Sequence, residues 1–267
     1  MVEARWVRVG LRVATWLIVG FLYLPLVLVG VHAFNESGFM AWPPTGFTLR
    51  WFGEALSNPA IPTAFVNSIL AALGAVAIAL VLGTLAAMAV QRHRFFGREA
   101  ISFILILPIA LPGVITGIAL STTFQTLGIE FGLATIIVGH ATFCVVIAYN
   151  NVIARLRRLP RTPEEASADL GADTWITFRR ITMPGMRTAL LSGGLLAFAL
   201  SFDEIIVTLF VAGAGTQTIP IFVLNAMQRP TELPVVNVVA LVLVVFSVIP
   251  VYIAQRISGD AGAGGRI

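Results

Sequence analysis

The sequence contains no lysine, because all 17 basic residues among its 267 residues are arginine. A P-loop ATPase needs the lysine of G-x-x-x-x-G-K-[ST] to reach the nucleotide phosphates. A pyridoxal enzyme needs a lysine amine to form its Schiff base. The chain therefore cannot be either of these two kinds of enzyme.

Cysteine and histidine are also scarce. Cys144 is the only cysteine, which excludes an intrachain disulfide, and its apolar neighbours are typical of a small buried hydrophobic residue. The three histidines, His32, His93 and His140, are too far apart in sequence to predict a metal site. We therefore predict no catalytic residues and no metal ligands in this chain.

Charged residues are few, at 11% of the sequence, whereas hydrophobic residues make up 58% and the mean hydropathy is +0.93. A soluble domain is about 25% charged and about 45–50% apolar. A soluble fold of this length could not bury so much apolar surface. Lipid is therefore the predicted partner of much of the exterior. The formal charge of +4 does not indicate nucleic acid, because the arginines lie beside apolar runs.

Six apolar stretches approach or exceed the length of about 20 residues that a membrane-spanning helix needs. We predict an all-α membrane protein in which residues 1–267 form a single transmembrane domain. The six predicted spans are residues 11–34, 65–90, 100–124, 133–154, 188–212 and 234–254.

The arginines predict the orientation of these spans. Fifteen of the 17 lie on one side, and only Arg50 and Arg229 lie on the other. The positive-inside rule therefore places both termini and the loop of residues 155–187 in the cytoplasm. The first span could instead be a secretory signal cleaved after Val31-His32-Ala33, but its apolar run exceeds the usual signal length of about 7–15 residues.

The cytoplasmic loop of residues 155–187 begins with the signals of a short helix. Thr162 can cap the helix, Pro163 suits the first helical position, and Glu165 completes a capping box with Thr162. Gly171 then suits a left-handed helix end. We therefore predict one short helix that ends just before this glycine.

A second short helix follows in the same loop. Asp173 can cap a helix from Thr174 to about Ile181, and Pro184 is predicted to end it before the fifth span. Two short helices with an apolar side at the inner edge of the membrane are suited to docking a partner. The predicted apolar side comprises Ala166, Leu170, Trp175 and Phe178.

This loop resembles the EAA loop of the permease subunits of ABC importers, whose pattern is E-A-A-x3-G-x9-I-x-L-P. The matching residues are Glu165-Ala166-Ser167, Gly171 and Ile181-Thr182-Met183-Pro184. Ser167 replaces an alanine and Met183 replaces a leucine. The loop also lies before the penultimate span, as it does in that family.

The resemblance implies a multi-pass protein of the bacterial inner membrane that forms half of a pore. In such permeases the loop forms a coupling helix that docks on a separate cytoplasmic ATPase. The implied partners are two ATPase copies, a second permease subunit in a heterodimer, an extracytoplasmic solute-binding protein and membrane lipid. No cofactor is expected in this chain, because ATP and Mg²⁺ bind to the ATPase. The residues expected to couple to the ATPase are Glu164, Glu165, Ala166, Ser167, Gly171, Ile181 and Pro184.

The fifth predicted span contains two carboxylates, Asp203 and Glu204. Charged groups within a membrane are costly and usually line an aqueous path or a bundle interior. On a continuous helix Glu204 shares a face with Ser201 and Thr208, whereas Asp203 lies about 100° away. We therefore predict that these four residues belong to a substrate pathway lined by Glu204. The alternative is a pair near a helix end that is hydrogen-bonded locally.

Further stretches resemble the spermidine/putrescine-type branch of these permeases. They are Phe47-Thr48-Leu49-Arg50-Trp51-Phe52, Asn67-Ser68-Ile69, Leu107-Pro108, Gly117-Ile118-Ala119-Leu120 and Ser201-Phe202-Asp203-Glu204. This resemblance covers nearly the whole chain and implies import of polyamines, although related branches import other small solutes. Two carboxylates suit a di- or polyammonium ligand by Coulomb attraction in a cavity of low dielectric constant.

Two other classes of function remain open. A stand-alone secondary transporter or channel would have no use for the coupling loop. An intramembrane enzyme would need a Ser/His pair, paired aspartates or a metal motif, and His140 has no evident partner in the sequence. Co-purification with an ATPase separates the importer subunit from both alternatives.

Overall fold

The computed structural model of the chain is almost entirely helical, which confirms the all-α prediction. It describes residues 5–38, 42–229 and 232–263. Within those ranges the only strand-like pairing is a single bridge between Asn35 and Phe47. Arg266, one of the arginines predicted to be cytoplasmic, lies outside the described residues.

The helices are numbered here in chain order. They are α1 Arg5–Phe34, α2 Arg50–Ser57, α3 Ala60–Arg92, α4 Arg98–Ala110, α5 Gly113–Thr126, α6 Leu133–Leu156, α7 Thr162–Asp169, α8 Thr174–Thr177, α9 Met183–Phe202, α10 Ile206–Val211, α11 Ile219–Ala226 and α12 Leu233–Ala263. A π-helical turn, Phe178–Thr182, joins α8 to α9.

Among the described residues, four continuous helices are long and apolar enough to cross a membrane. The pair α4 and α5 adds a fifth span if the two are taken together, and α12 contains a shorter apolar segment, Leu233–Ile249. The predicted spans at 11–34, 65–90 and 133–154 fall within α1, α3 and α6. The four continuous candidates are Trp6–Phe34, Ala60–Arg92, Leu133–Leu156 and Thr174–Phe202.

The third predicted span, residues 100–124, is not one continuous helix. Its two halves, α4 and α5, meet at an angle of 104°. Leu111 is extended, with ψ of 141°, and Pro112 follows it directly. A proline disfavours the helical conformation of the residue before it and donates no hydrogen bond itself. Helix α4 therefore ends at Ala110, and α5 starts in a new direction.

The prediction that Pro184 ends a helix is also wrong, because an apolar helical run continues from Thr174 to Phe202. In the π turn, Met183 N donates to Phe178 O, five residues back along the chain. This wider turn changes the hydrogen-bond register. Pro184 therefore falls in the first turn of α9, where a missing N–H is tolerated.

Backbone contacts divide the chain into two compact units, of which the smaller comprises Met1–Pro62 and Phe222–Val245. In this unit, Trp51 and Ala55 of α2 pack against Ala33 of α1 and Val238 of α12. The indole Nε1 of Trp51 donates to the carbonyl oxygen of Asn35 at 2.7 Å. The indole is thereby buried with its one polar group satisfied.

The larger unit, Thr63–Ile221 with Phe246–Ile267, contains the functional segments described below. Its core forms where α3, α6, α9 and α10 meet, and much of α6 is buried. Small residues allow these helices to approach closely. A Cβ atom added at Gly83 of α3 would lie 2.8 Å from both Ala148 Cβ and Tyr149 N of α6. Such contacts supply much of the packing between helices in lipid.

We predict that Gly83→Ala lowers the free energy of unfolding by about 1–3 kcal/mol, because the added methyl group separates α3 from α6. The control is Gly20→Ala on α1, where an added Cβ meets no atom within 4 Å. Thermal unfolding in detergent micelles measures both. Because alanine favours helices equally in the two variants, an equal change in midpoint would contradict the predicted clash.

Candidate translocation and coupling sites

The two carboxylates predicted to line a pathway lie at a break in the helix. Helix α9 ends at Phe202 and α10 begins at Ile206, with Asp203–Ile205 not helical. The predicted span of residues 188–212 is therefore not one continuous helix. The shared face predicted for Ser201, Glu204 and Thr208 loses its basis, because it assumed a continuous helix.

The two acidic side chains have different surroundings. Oε1 of Glu204 accepts a hydrogen bond from Val207 N at 2.8 Å, so the side chain caps the first turn of α10. Asp203 is exposed, and among the described residues its carboxylate has no hydrogen-bond or ionic partner. Glu204 thus has the kind of local hydrogen bond that the alternative assumed, whereas Asp203 keeps a free carboxylate.

His140 of α6 bridges the break. Its Nδ1 lies 2.8 Å from Ser201 Oγ in the last turn of α9, and its Nε2 lies 2.8 Å from Thr208 Oγ1 in α10. All three residues are at most 2% exposed. Thr208 Oγ1 also lies 3.1 Å from the Glu204 carbonyl oxygen, to which only the hydroxyl can donate. Both ring nitrogens of His140 therefore have a hydroxyl partner.

This arrangement contains the Ser/His pair that the sequence did not reveal. The partners of His140 are 61 and 68 residues away along the chain, so no local pattern predicts them. Both ring nitrogens are already bonded, and the buried serine hydroxyl is closed to a substrate. The pair is therefore a structural connection between α9 and α10. The described residues also contain no group of three or more His, Cys, Asp or Glu that could hold a metal ion.

Helix α10 is further held by α5 and by the start of α6. A Cβ atom added at Gly117 of α5 would lie 2.5 Å from the Phe210 ring, so this glycine is needed for the close approach. Thr135 Oγ1 of α6 lies 2.7 Å from the carbonyl oxygen of Val211 at the end of α10. The short helix is thus fixed at both ends, as non-helical backbone within a membrane bundle requires.

The two helix starts predicted in the loop of residues 155–187 are present, with one correction at the first. Thr162 is the first helical residue of α7 and makes no cap, so the predicted capping box is wrong. The preceding carbonyl of Arg161 accepts from the backbone N–H groups of Glu164 and Glu165 instead. Pro163 lies in the first turn, as predicted.

The turn between α7 and α8 contains the predicted left-handed glycine and the predicted Asp173 cap. Gly171 adopts a left-handed conformation, with φ of +80°. Ala172 N donates to Ser167 O across this turn, which satisfies a carbonyl at the end of α7. Asp173 Oδ1 accepts from Ile176 N at 2.7 Å and caps α8. The sharp turn therefore holds α7 and α8 together.

The seven residues expected to couple to an ATPase do not share one surface. Ser167 is buried, and its hydroxyl lies 3.0 Å from Thr177 Oγ1, which joins α7 to α8. Glu164 and Ile181 are half-buried. The exposed members are Glu165, Ala166, Gly171 and Pro184.

An exposed apolar surface lies beside these residues. Leu170 is 89% exposed, Trp175 is 65% exposed and Ile176 is 41% exposed. We call these three residues the coupling face. The Trp175 ring centroid lies 5.7 Å from that of half-buried Phe178, so the two rings pack against each other. Exposed apolar groups of this kind indicate a surface that another protein or a membrane covers.

The fold is that of the transmembrane subunit of an ABC importer. The structure aligns with a bacterial ABC transporter involved in the import of the acidic polysaccharide alginate, with a TM-score of 0.73 and 16% identity over 97% of this chain and 99% of that one. It aligns with a bacterial alginate ABC transporter in complex with a periplasmic protein bound to alginate pentasaccharide, with a TM-score of 0.74 and 14% identity over 95% and 94% of the chains.

Residues 79–259 match the model of the binding-protein-dependent transport system inner membrane component family. The putrescine transport system permease protein PotI of Escherichia coli K12 is 36% identical to this chain. The alignment covers 82% of this chain and 80% of PotI. The spermidine/putrescine transport system permease protein PotC of the same strain is 31% identical over 92% of this chain and 93% of PotC. The chain therefore belongs to this family and is a multi-pass permease subunit of the inner membrane.

We predict that His140→Phe lowers the free energy of unfolding by about 1–3 kcal/mol, because it removes both hydrogen bonds across the helix break. The matched control is His93→Phe, since His93 is exposed near the end of α3. Thermal unfolding in detergent measures both variants. Unchanged stability of His140→Phe would show that the bridge does not hold α9 and α10 together.

Proposed function

We propose that this chain forms half of the translocation pore of an ATP-driven importer and that α7 and α8 dock on a separate cytoplasmic ATPase. The observation that carries this proposal is the coupling face, Leu170, Trp175 and Ile176, exposed beside the matched EAA residues. A capped helical pair with an apolar tip fits the groove-binding mode of helix recognition. A rigid helix in a groove can transmit a rigid-body movement.

The complete transporter would contain two copies of the ATPase, a second permease subunit and an extracytoplasmic solute-binding protein. The chain would cross the membrane six times with both termini in the cytoplasm, the bent pair α4 and α5 serving as one span. This topology is supported by the arginine distribution, with fifteen of 17 arginines on one side. It places α7 and α8 at the cytoplasmic surface. ATP and Mg²⁺ would bind to the ATPase.

The proposed substrates are polyamines such as spermidine and putrescine, because PotI and PotC carry these substrates in their names. The break between α9 and α10 suits a cationic ligand. Asp203 provides a free carboxylate at the C-terminal end of α9, where the helix dipole also favours positive charge. Charges at breaks in membrane helices commonly line transport pathways. Asp203 would therefore contact the substrate, and Glu204 would keep α10 in place.

We predict that Asp203→Asn raises KM for uptake of labelled spermidine and putrescine about tenfold or more, because each lost 1.4 kcal/mol of binding is tenfold in affinity. The matched control is Glu204→Gln, whose amide oxygen can still accept from Val207 N. Uptake is measured in cells that express the complete transporter. Loss of uptake in Glu204→Gln alone would reverse the two roles.

Uptake by the wild-type transporter tests the substrate class itself. Unlabelled amino acids, betaines and phosphonates serve as competitors in the same assay. A complex that assembles but takes up no polyamine would contradict the proposed substrate. The competitor that inhibits uptake, or accumulates in its place, would then identify the class of ligand.

We predict that the double variant Leu170→Ser, Trp175→Ala loses co-purification with the ATPase, because it removes most of the coupling face. The expected weakening is about 2 kcal/mol or more, as for other buried aromatic anchors. The control is Leu127→Ser, which alters an exposed apolar residue just after α5. Co-purification at the wild-type level in the double variant would contradict docking through this face.

A further inference from the structure

Glu164 and Glu165 are neighbours in α7 but face opposite surroundings. Glu165 is exposed, and among the described residues it has no hydrogen-bond or ionic partner. The side chain of Glu164 is 22% exposed, and its Oε1 is bonded twice. Arg92 Nη2 donates to this oxygen at 2.9 Å, and Thr182 Oγ1 donates to it at 2.8 Å. The two carboxylates therefore cannot have the same role.

The two donors belong to different helical runs. Arg92 is the last residue of α3, and Thr182 is the last residue of the π turn that leads into α9. One carboxylate oxygen thus connects α7 to the cytoplasmic ends of two candidate membrane spans. A second connection joins α7 to the end of α3, since Arg161 Nη2 donates to Gln91 O at 3.1 Å.

The connection at Glu164 is largely screened from water. The Arg92 side chain is 11% exposed, and its Nε is buried without a hydrogen-bond partner among the described residues. The guanidinium therefore depends on Glu164 for compensation of its charge. Removing one member of a buried ion pair leaves the other charge uncompensated, so the pair resists separation more strongly than a surface salt bridge does.

The Thr182 end of the connection lies on an irregular turn. A π turn inside an α-helical run is uncommon, and such turns are frequent at functional sites. Thr182 is 5% exposed and ends this turn directly before α9. A displacement of α7 would therefore act on α9 at its irregular turn and on α3 at its last residue.

We propose that Glu164 is a positioning residue that transmits movement of α7 to α3 and α9, whereas Glu165 belongs to the surface that meets the ATPase. This inference rests on the proposed docking of α7 and α8 to an ATPase. It assigns separate steps to the two carboxylates, with Glu165 contributing to docking and Glu164 to transmission. A role of Glu164 in stability alone would leave the transmission of movement unchanged in any folded variant.

The test uses the complete transporter, purified with its ATPase, in nucleotide-free and ATP-bound forms. Hydrogen–deuterium exchange is measured for α7 and for the cytoplasmic ends of α3 and α9. In the wild type, ATP is expected to change exchange in all three segments. In Glu164→Ala, which can accept neither bond, the change in α7 is expected to remain, and the changes in α3 and α9 are expected to be lost.

The same preparations provide a functional measurement in proteoliposomes with labelled spermidine and putrescine. In Glu164→Ala we expect ATP hydrolysis to remain within about twofold of wild type and uptake per ATP to fall about fivefold or more, a typical coupling effect. In Glu165→Gln, weaker association with the ATPase is expected to lower hydrolysis and uptake in proportion. The exchange R92E with E164R restores the ion pair with α3 but leaves Thr182 Oγ1 without its acceptor, so it is expected to recover only part of the uptake per ATP.

Thr182→Val keeps the shape of the side chain and removes only one of the two bonds to Glu164, so it serves if Glu164→Ala does not fold. A smaller reduction of uptake per ATP, with α9 affected more than α3, is expected for it. Normal transmission to α3 and α9 in folded Glu164→Ala or Thr182→Val would overturn the inference. Absence of any ATP-dependent change in wild-type α7 would instead overturn the proposed docking on the ATPase.

Discussion

A helix that breaks inside an apolar bundle leaves polar groups where no bulk water can satisfy them, and this constraint governs the arrangement around Asp203. His140 satisfies polar groups at the break by hydrogen bonding to Ser201 before it and to Thr208 after it. Glu204 satisfies a further polar group, the backbone N–H of Val207, by capping α10. With these groups satisfied, the chain can keep a free carboxylate at the break. The candidate pathway therefore depends on the buried imidazole of His140. This residue belongs to α6 and not to the broken run of α9 and α10.

Close helix packing makes this arrangement possible. Gly83 brings α3 against α6, and Gly117 admits the ring of Phe210 from α10 against α5. In lipid these contacts cannot rely on the hydrophobic effect, so small residues that increase van der Waals contact are needed. The same packing fixes the end of α10 beside Thr135. The short helix is thus held in position by neighbours on several helices.

The side chains of the loop that resembles the EAA pattern face two directions. Glu165 and the coupling face point away from the chain, whereas Glu164 and Ser167 bond to other parts of it. A docking element needs a surface that binds the partner and bonds to the rest of its own chain. Without those bonds, a movement of the partner would not reach the other helices. The family motif marks the loop as a whole. The direction of each side chain follows from its neighbours.

The sequence by itself determined the features that depend on local pattern. Apolar run length predicted the helices of the bundle, and Gly171 and Asp173 predicted the turn between α7 and α8, because turn and cap chemistry acts within a few residues. Only the tertiary structure decided where the fifth span breaks and which carboxylate stays free. The partners of His140 lie 61 and 68 residues away, and those of Glu164 lie 72 and 18 residues away, so no local pattern contains them. Hydrogen bonds between distant segments exist only once the helices have packed.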